Sequence, residues 1–404
     1  MSVGLGRLPV LNPVRGIRLV AAGAGICYQG RNDVVLIECS EGSVCAGVFT
    51  RNAFCAAPVV LAKQNMSNAS VRVLLVNSGN ANAGTGQAGM DAAISCCESV
   101  AEAAGCKPEQ VLPFSTGVIG EPLPADKIQA VIPQAVSQLD KNNWGEAARA
   151  IMTTDTLPKG VSTRLQMDGR EVTITGIAKG SGMIRPDMAT MLAFVATDAG
   201  LDRTLLQGCL SSAVDQSFNR ITVDGDTSTN DACMLLATGQ SGVQITANSR
   251  GYDDFIEALN SLCRQLAQAI IRDGEGVTKF ISVCVEQGAD TQECLDVAYT
   301  VAHSPLVKTA FFASDPNWGR ILAAVGRAGV NGLVIEDVSL YLNGVCIVEQ
   351  GARSASYTEE QGQAVMNEEE ILVRICLGRG GASETVWTTD LSHEYVTINA
   401  EYRT

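Results

Sequence analysis

The chain has 404 residues, 46% of them hydrophobic and 18% charged, which is enough for a large core or two subdomains. Asp and Glu outnumber Lys and Arg by 43 to 29, a net charge of −14 with no Lys/Arg-rich run, so neither nucleic acid nor an anionic membrane is an expected partner. There are two histidines, His303 and His393, and 14 cysteines without a C-x-x-C pair, so no metal site is expected and the thiols read as buried and reduced.

In chain order, residues 1–18 carry scattered charges and two prolines, without the apolar core of a leader peptide. No stretch reaches the roughly 20 apolar residues of a membrane helix, and a cytoplasmic location is expected. Residues 33–39 and 71–76 are β-branched or large apolar runs bounded by turn residues, and read as strands. Residues 87–104 are Ala-rich and read as a helix. Residues 164–175 read as a hairpin about Asp168-Gly169, a favoured two-residue turn. Residues 190–197 are almost continuously apolar, as for a strand buried on both faces. In residues 253–272, Phe255, Ile256, Leu259, Leu262, Leu266, Ile270 and Ile271 recur mostly at spacings of three and four. They predict a helix with Asp253 as N-cap and Gly274 past its end. A second hairpin turns at Asn343-Gly344, between residues 338–342 and 345–348. There is no strict βαβ rhythm, repeat or low-complexity linker. The expected fold is α/β, in the sense of a layered α+β sandwich, with a smaller second subdomain over about residues 280–404.

The sequence offers few motifs for chemistry. The segment Asp273-Gly274-Glu275-Gly276-Val277-Thr278-Lys279 lacks Walker spacing, and its glutamate would repel phosphate. No G-x-S-x-G elbow is present to position a serine beside either histidine. The notable stretch is Gly180-Ser181-Gly182-Met183-Ile184-Arg185-Pro186-Asp187-Met188-Ala189-Thr190, a glycine-containing loop running into the apolar strand. By itself, a threonine at a strand start is a β-favouring residue. A break between Ala189 and Thr190 would give that threonine a hydroxyl and a free α-amine on one residue. An α-amine of pKa about 7.7–8.0 is partly neutral near pH 7 and can serve the hydroxyl as base.

This loop resembles the corresponding segment of the ornithine acetyltransferase (glutamate N-acetyltransferase) family. So, in family order, do Val76-Asn77-Ser78-Gly79-Asn80-Ala81-Asn82-Ala83, Ser115-Thr116-Gly117-Val118-Ile119-Gly120, Met152-Thr153-Thr154-Asp155-Thr156, residues 219–231, the Gly274 to Lys279 loop, Asp315-Pro316-Asn317-Trp318-Gly319-Arg320 and Ile398-Asn399-Ala400-Glu401-Tyr402-Arg403-Thr404. The resemblance spans essentially the whole chain. It implies a self-processing, N-terminal-nucleophile-like fold cut between Ala189 and Thr190 into intertwined chains, 1–189 and 190–404, associating as α2β2. It implies acetyl transfer from N-acetylornithine to glutamate in arginine biosynthesis, through an acetyl-threonine ester on Thr190 and without cofactor or metal. Acetyl-CoA is a further donor in the bifunctional variant. A self-processing aminopeptidase or amidohydrolase is the alternative with the same nucleophile. Thr116 and Gly117 match the family's oxyanion hole. Thr153, Lys179, Thr190, Glu275, Asn399 and Thr404 match its substrate contacts. The chain departs from many relatives at Arg185, Asp187 and Gly84, none of which is assigned a chemical step.

Overall fold

The computed structural model describes residues 2–27, 29–185 and 191–401. Ala189, Thr190 and Thr404 therefore lie outside the described residues. The chain divides into two compact units: residues 7–219 with 226–270, and residues 2–6 and 220–225 with 271–401.

The first unit is built on two mixed sheets. One orders its strands Ile17–Ala22, Val34–Cys39, Val73–Asn80 and Val111–Val118; the first three run antiparallel and the last pair parallel. The other orders Val44–Phe49, Ala232–Ala237, Leu192–Thr197, Arg170–Lys179 and Lys159–Met167, with Leu192–Thr197 and Ala232–Ala237 parallel. Alternate residues explain the uninterrupted apolar runs. Val35 and Ile37 join Leu74, Val76, Leu112 and Phe114 in a core shared with Phe49, Ile177, Phe194 and Met234 of the other sheet. Phe114 and Phe194 meet edge to face across it, with ring centroids 5.2 Å apart. Val34 and Leu36 face the opposite way, packing with Ala93, Cys97 and Val100 of helix Gly86–Ala104 and Ile128 and Ile132 of helix Ala125–Ser137. On the outer face of the second sheet, helix Tyr252–Arg272 comes so close that a Cβ on Gly176 would lie 3.0 Å from Leu262. The unit is thus layered helix, sheet, sheet, helix, with both faces of both sheets covered.

The second unit has a seven-stranded sheet, in order Ala352–Arg353, Val345–Glu349, Ser339–Leu342, Glu370–Cys376, Phe280–Gly288, Ala382–Thr389 and Ile221–Thr222. Ile281, Val283, Val285, Val373 and Ile375 pack with residues of helices Thr291–Ala302, Pro305–Phe312, Trp318–Gly326 and Glu359–Met366. The intervening Leu372 is 38% exposed. Both histidines are in this unit in packing roles: His303 Nε2 lies 3.0 Å from Thr222 Oγ1 and stacks on Tyr299, and His393 meets Phe312 edge to face.

Local differences from the sequence expectations have physical causes. The strand expected over 71–76 runs on to Asn80, because the polar Asn77-Ser78-Gly79-Asn80 continues the ladder with Ser115 to Val118. The long helix begins at Tyr252, so Asp253 stands in its first turn instead of capping it, where a carboxylate still suits the positive end of the helix. The turn at Asp168-Gly169 is as expected, with φ of 50° and 72°. All 14 cysteines are free and most are buried; burial pushes the Cys39 thiol up to about 11 and Cys96 to about 12. Among the described residues, no helix is long and apolar enough to cross a membrane, and no group of His, Cys, Asp or Glu could hold a metal ion.

Candidate active site

The parallel strands Val73–Asn80 and Val111–Val118 end side by side, with Gly79 opposite Gly117 and a register shift at Asn80. Gly117 has φ 135°, and a Cβ there would stand 2.3 Å from the Gly79 carbonyl carbon and 2.5 Å from the Asn80 nitrogen. No side chain fits, so glycine at 117 is a steric requirement. The neighbouring side chains pin these ends. Ser115 Oγ donates to Asn77 Oδ1 at 2.6 Å, and Asn77 Nδ2 to the Asn80 carbonyl at 2.8 Å. Asn230 Nδ2 donates to the carbonyls of Ala81 and Ser115 at 2.6 and 2.9 Å. These side-chain bonds tie the two strand ends together.

Lys179 is the last residue of strand Arg170–Lys179 and is 5% exposed. Its Nζ donates to Thr116 Oγ1 at 2.9 Å and Thr153 Oγ1 at 3.0 Å. Three residues far apart in sequence thus meet through one buried ammonium group. Asp155 organises the loop around them. Its Oδ1 accepts from Lys159 Nζ at 2.6 Å and from the Gly180 N–H at 2.8 Å, and its Oδ2 from the Thr153 N–H at 3.1 Å. Burial raises this carboxyl, but the ammonium groups of Lys159 and Lys179 outweigh it and hold Asp155 well below the usual carboxylate range. Asp155 therefore stays ionised while it fixes the backbone at residues 153 and 180.

Asp231 directly precedes strand Ala232–Ala237. It is 1% exposed, and its Oδ1 accepts the N–H of Met191 at 3.0 Å. Burial pushes its carboxyl well above the ordinary value, against hydrogen bonds with the Met191 amide and the Ser228 side chain and against the Lys179 charge. Sequence reasoning gave no role to Asp155, Asn230 or Asp231. A signal existed for the last: an acid directly before the apolar run Ala232–Ala237 enters a buried strand.

In the second unit, Glu275 and Asn399 come together: Asn399 Nδ2 donates to Glu275 Oε2 at 2.7 Å and to the Tyr395 carbonyl at 2.9 Å. Glu275 is 9% exposed despite its Gly-Glu-Gly surroundings. The reason is a close fit at Gly276, where φ is 67° and a Cβ would lie 2.4 Å from the Tyr395 nitrogen. Ser392 Oγ ties the same glycine's carbonyl to the start of helix His393–Glu401 at 2.6 Å. Of the residues singled out from sequence, Thr116, Gly117, Thr153 and Lys179 thus share one region of the first unit, and Glu275 and Asn399 pair in the second.

The ArgJ family model matches residues 18–404. The arginine biosynthesis bifunctional protein ArgJ of Pseudomonas fluorescens (strain Pf0-1) is 59% identical over 406 residues, covering 100% of both chains. That of Methylococcus capsulatus is 58% identical over 395 residues, covering 98% of this chain and 97% of its own. Among solved structures, the arginine biosynthesis bifunctional protein of Bacillus halodurans matches with a TM-score of 0.50 and 38% identity, over 52% of this chain and 98% of that one.

Proposed function

This chain belongs to the ArgJ family, and on that premise we propose that it is a glutamate N-acetyltransferase of arginine biosynthesis that generates its own nucleophile by cutting between Ala189 and Thr190. The observation that carries the reading is the buried Lys179 ammonium joined to Thr116 and Thr153, with Gly117 alongside.

In this mechanism the Thr190 hydroxyl attacks the Ala189 carbonyl, the peptide C–N bond breaks to leave an ester and a free amine, and water then hydrolyses the ester to free the hydroxyl. The mature hydroxyl, with that amine as base, then attacks the acetyl carbonyl of N-acetylornithine. Thr116 and the Gly117 backbone stabilise the oxyanion; one such donor is worth about 10²–10³ in rate. Ornithine leaves, and glutamate takes the acetyl group from the threonine ester. Lys179 and Thr153 hold the substrate carboxylate, a task suited to an ammonium donor. Glu275 answers an amino group, with Asn399 and Thr404 completing recognition. The two chains of the cut enzyme stay together and associate as α2β2 in the cytoplasm. Acetyl-CoA as a second donor is part of the same proposal, supported by the word bifunctional in the relatives' names.

The test is a denaturing gel with N-terminal sequencing, followed by transfer assays. The expected result is two bands, one beginning at Thr190, and an uncut, inactive Thr190→Ala chain. Ornithine release should require glutamate; release at full rate without it would overturn transfer in favour of hydrolysis. Acetylglutamate formation from acetyl-CoA alone decides the second donor.

A further inference from the structure

We propose that Asn230 is a positioning residue that holds the Thr116–Gly117 oxyanion donors in place from the other chain of the cut enzyme. The proposal rests on the reading of Thr190 as nucleophile and of Thr116 and Gly117 as its oxyanion hole. What carries it is one buried amide set between two strand ends. Asn230 is 6% exposed, and its Nδ2 donates to the Ala81 carbonyl at 2.6 Å and to the Ser115 carbonyl at 2.9 Å. Both acceptors are carbonyl oxygens, which settles which end of the amide faces them and uses both of its protons.

The two carbonyls flank the close approach of Gly79 and Gly117. Ser115 directly precedes Thr116 in strand Val111–Val118. A peptide unit is planar, so holding the Ser115 carbonyl fixes the plane that enters Thr116. With that plane fixed, the directions open to the Thr116 hydroxyl and to the next N–H, that of Gly117, are narrowed as well. Ala81 directly follows strand Val73–Asn80, and its own N–H donates to the Val118 carbonyl at 2.9 Å. One side chain therefore grips the strand that bears the donors and the strand that backs it.

Asn230 is itself anchored. Its N–H donates to Ser228 Oγ at 3.0 Å, and its Oδ1 accepts from Thr229 Oγ1. Thr50 Oγ1 donates to the Ser228 carbonyl at 2.7 Å, the Ala56 N–H to the Thr229 carbonyl at 3.0 Å and the Thr50 N–H to the Asp231 carbonyl at 3.0 Å. Thr50, Ala56, Ala81 and Ser115 fall in the 1–189 chain of the cut enzyme, and Ser228 to Asp231 in the 190–404 chain. The chain that carries the nucleophile thus grips the chain that carries the oxyanion donors, and these bonds set the register between the two. Donors of this kind work by being in place before the charge develops. The same oxyanion forms when the acetyl group reaches the threonine and when it leaves for glutamate, so a loosened turn slows both steps. Asn230 makes and breaks no covalent bond.

Asn230→Ala and Asn230→Asp test the role in the full chain. The alanine variant removes both donated bonds. The aspartate variant keeps the shape of the side chain but turns acceptor oxygens toward the two carbonyls. Per cut chain, kcat should fall about 10²-fold in both, with KM for acetylornithine within about threefold, because the donors act on charge that develops in the transition state. That fall, in whichever variant folds and cuts, upholds the proposal. An aspartate variant with wild-type kcat would overturn it, since the shape of residue 230 would then matter and its donated bonds would not. So would an alanine variant with a raised KM and unchanged kcat, and so would a failure of both variants to fold or cut, which would make Asn230 a requirement of assembly. A Thr190→Ala chain that still transfers acetyl groups would instead overturn the nucleophile, and a Thr116→Val chain with full kcat the oxyanion hole; neither result depends on residue 230.

Discussion

Lys159 in the first unit and Lys308 in the second are both nearly inaccessible, at 2% and 4% exposure, yet they are held in opposite ways. Lys159 is in direct contact with the Asp155 carboxylate at 2.6 Å. Lys308 donates to the Thr388 and Thr389 hydroxyls at 3.0 and 3.2 Å and to the Thr389 carbonyl. Burial lowers its pKa to about 8, with Asp390 and Asp224 resisting. The contrast extends to the sheets. Strand Val34–Cys39 is buried on both faces, whereas Glu370–Cys376 alternates buried with exposed positions. The first unit spends ionic and apolar groups to fix the surroundings of Lys179. The second builds a one-sided sheet and leaves a buried ammonium group with neutral partners.

The comparison can be broken most sharply at Asp155. Asp155→Ala should destabilise the protein by about 3–5 kcal/mol, since it leaves Lys159 buried without its carboxylate; urea unfolding at pH 7 measures this. Next, Leu36→Ala should cost about 2–5 kcal/mol, because Leu36 is fully buried in a strand covered on both faces. Lys308→Met should go the other way and stabilise by up to about 3 kcal/mol at pH 7. The folded pKa of Lys308 lies below its unfolded value, so the folded state binds fewer protons between about 8 and the ordinary lysine range near 10.4. Wild-type stability should therefore rise with pH across that window, and the Met variant should lose that rise. A variant less stable at pH 7, with the slope intact, would show that the lysine is needed as an ion. Smaller still, Asn399→Ala should raise the substrate KM about tenfold with kcat nearly unchanged, as for a contact made equally in ground and transition states. A fall in kcat alone would move the Glu275–Asn399 pair from binding into the chemistry. The smallest effect is expected at Leu372→Ala, within about 0.5 kcal/mol, because that face of the strand is partly exposed.

Much of this architecture was legible in order along the chain. Residues 33–39 read as a strand from their unbroken apolar run, and the run is unbroken because Val34 and Leu36 face helices while Val35 and Ile37 face the second sheet. Both hairpins followed from their two-residue turns. The end of strand Val73–Asn80 was not legible, because polar residues that would close an ordinary strand here continue a ladder into the site. The candidate residues were picked out by resemblance over the whole chain, and the local pattern alone would have left Thr116 in a turn and Thr190 as a β-favouring residue.

The amino-acid sequence by itself determined the layered class, the positions of most strands and helices, and the family to which the chain belongs, because periodicity and turn chemistry act over a few residues and family motifs are written in order. Only the tertiary structure brought Thr116, Thr153 and Lys179, up to 63 residues apart, onto one ammonium group. It alone set Asp231 against the Met191 amide, 40 residues away, and showed that its second oxygen is buried. Those contacts join strands that are distant in the chain and adjacent only in the sheets, and a buried carboxyl acquires its charge state from what surrounds it in space.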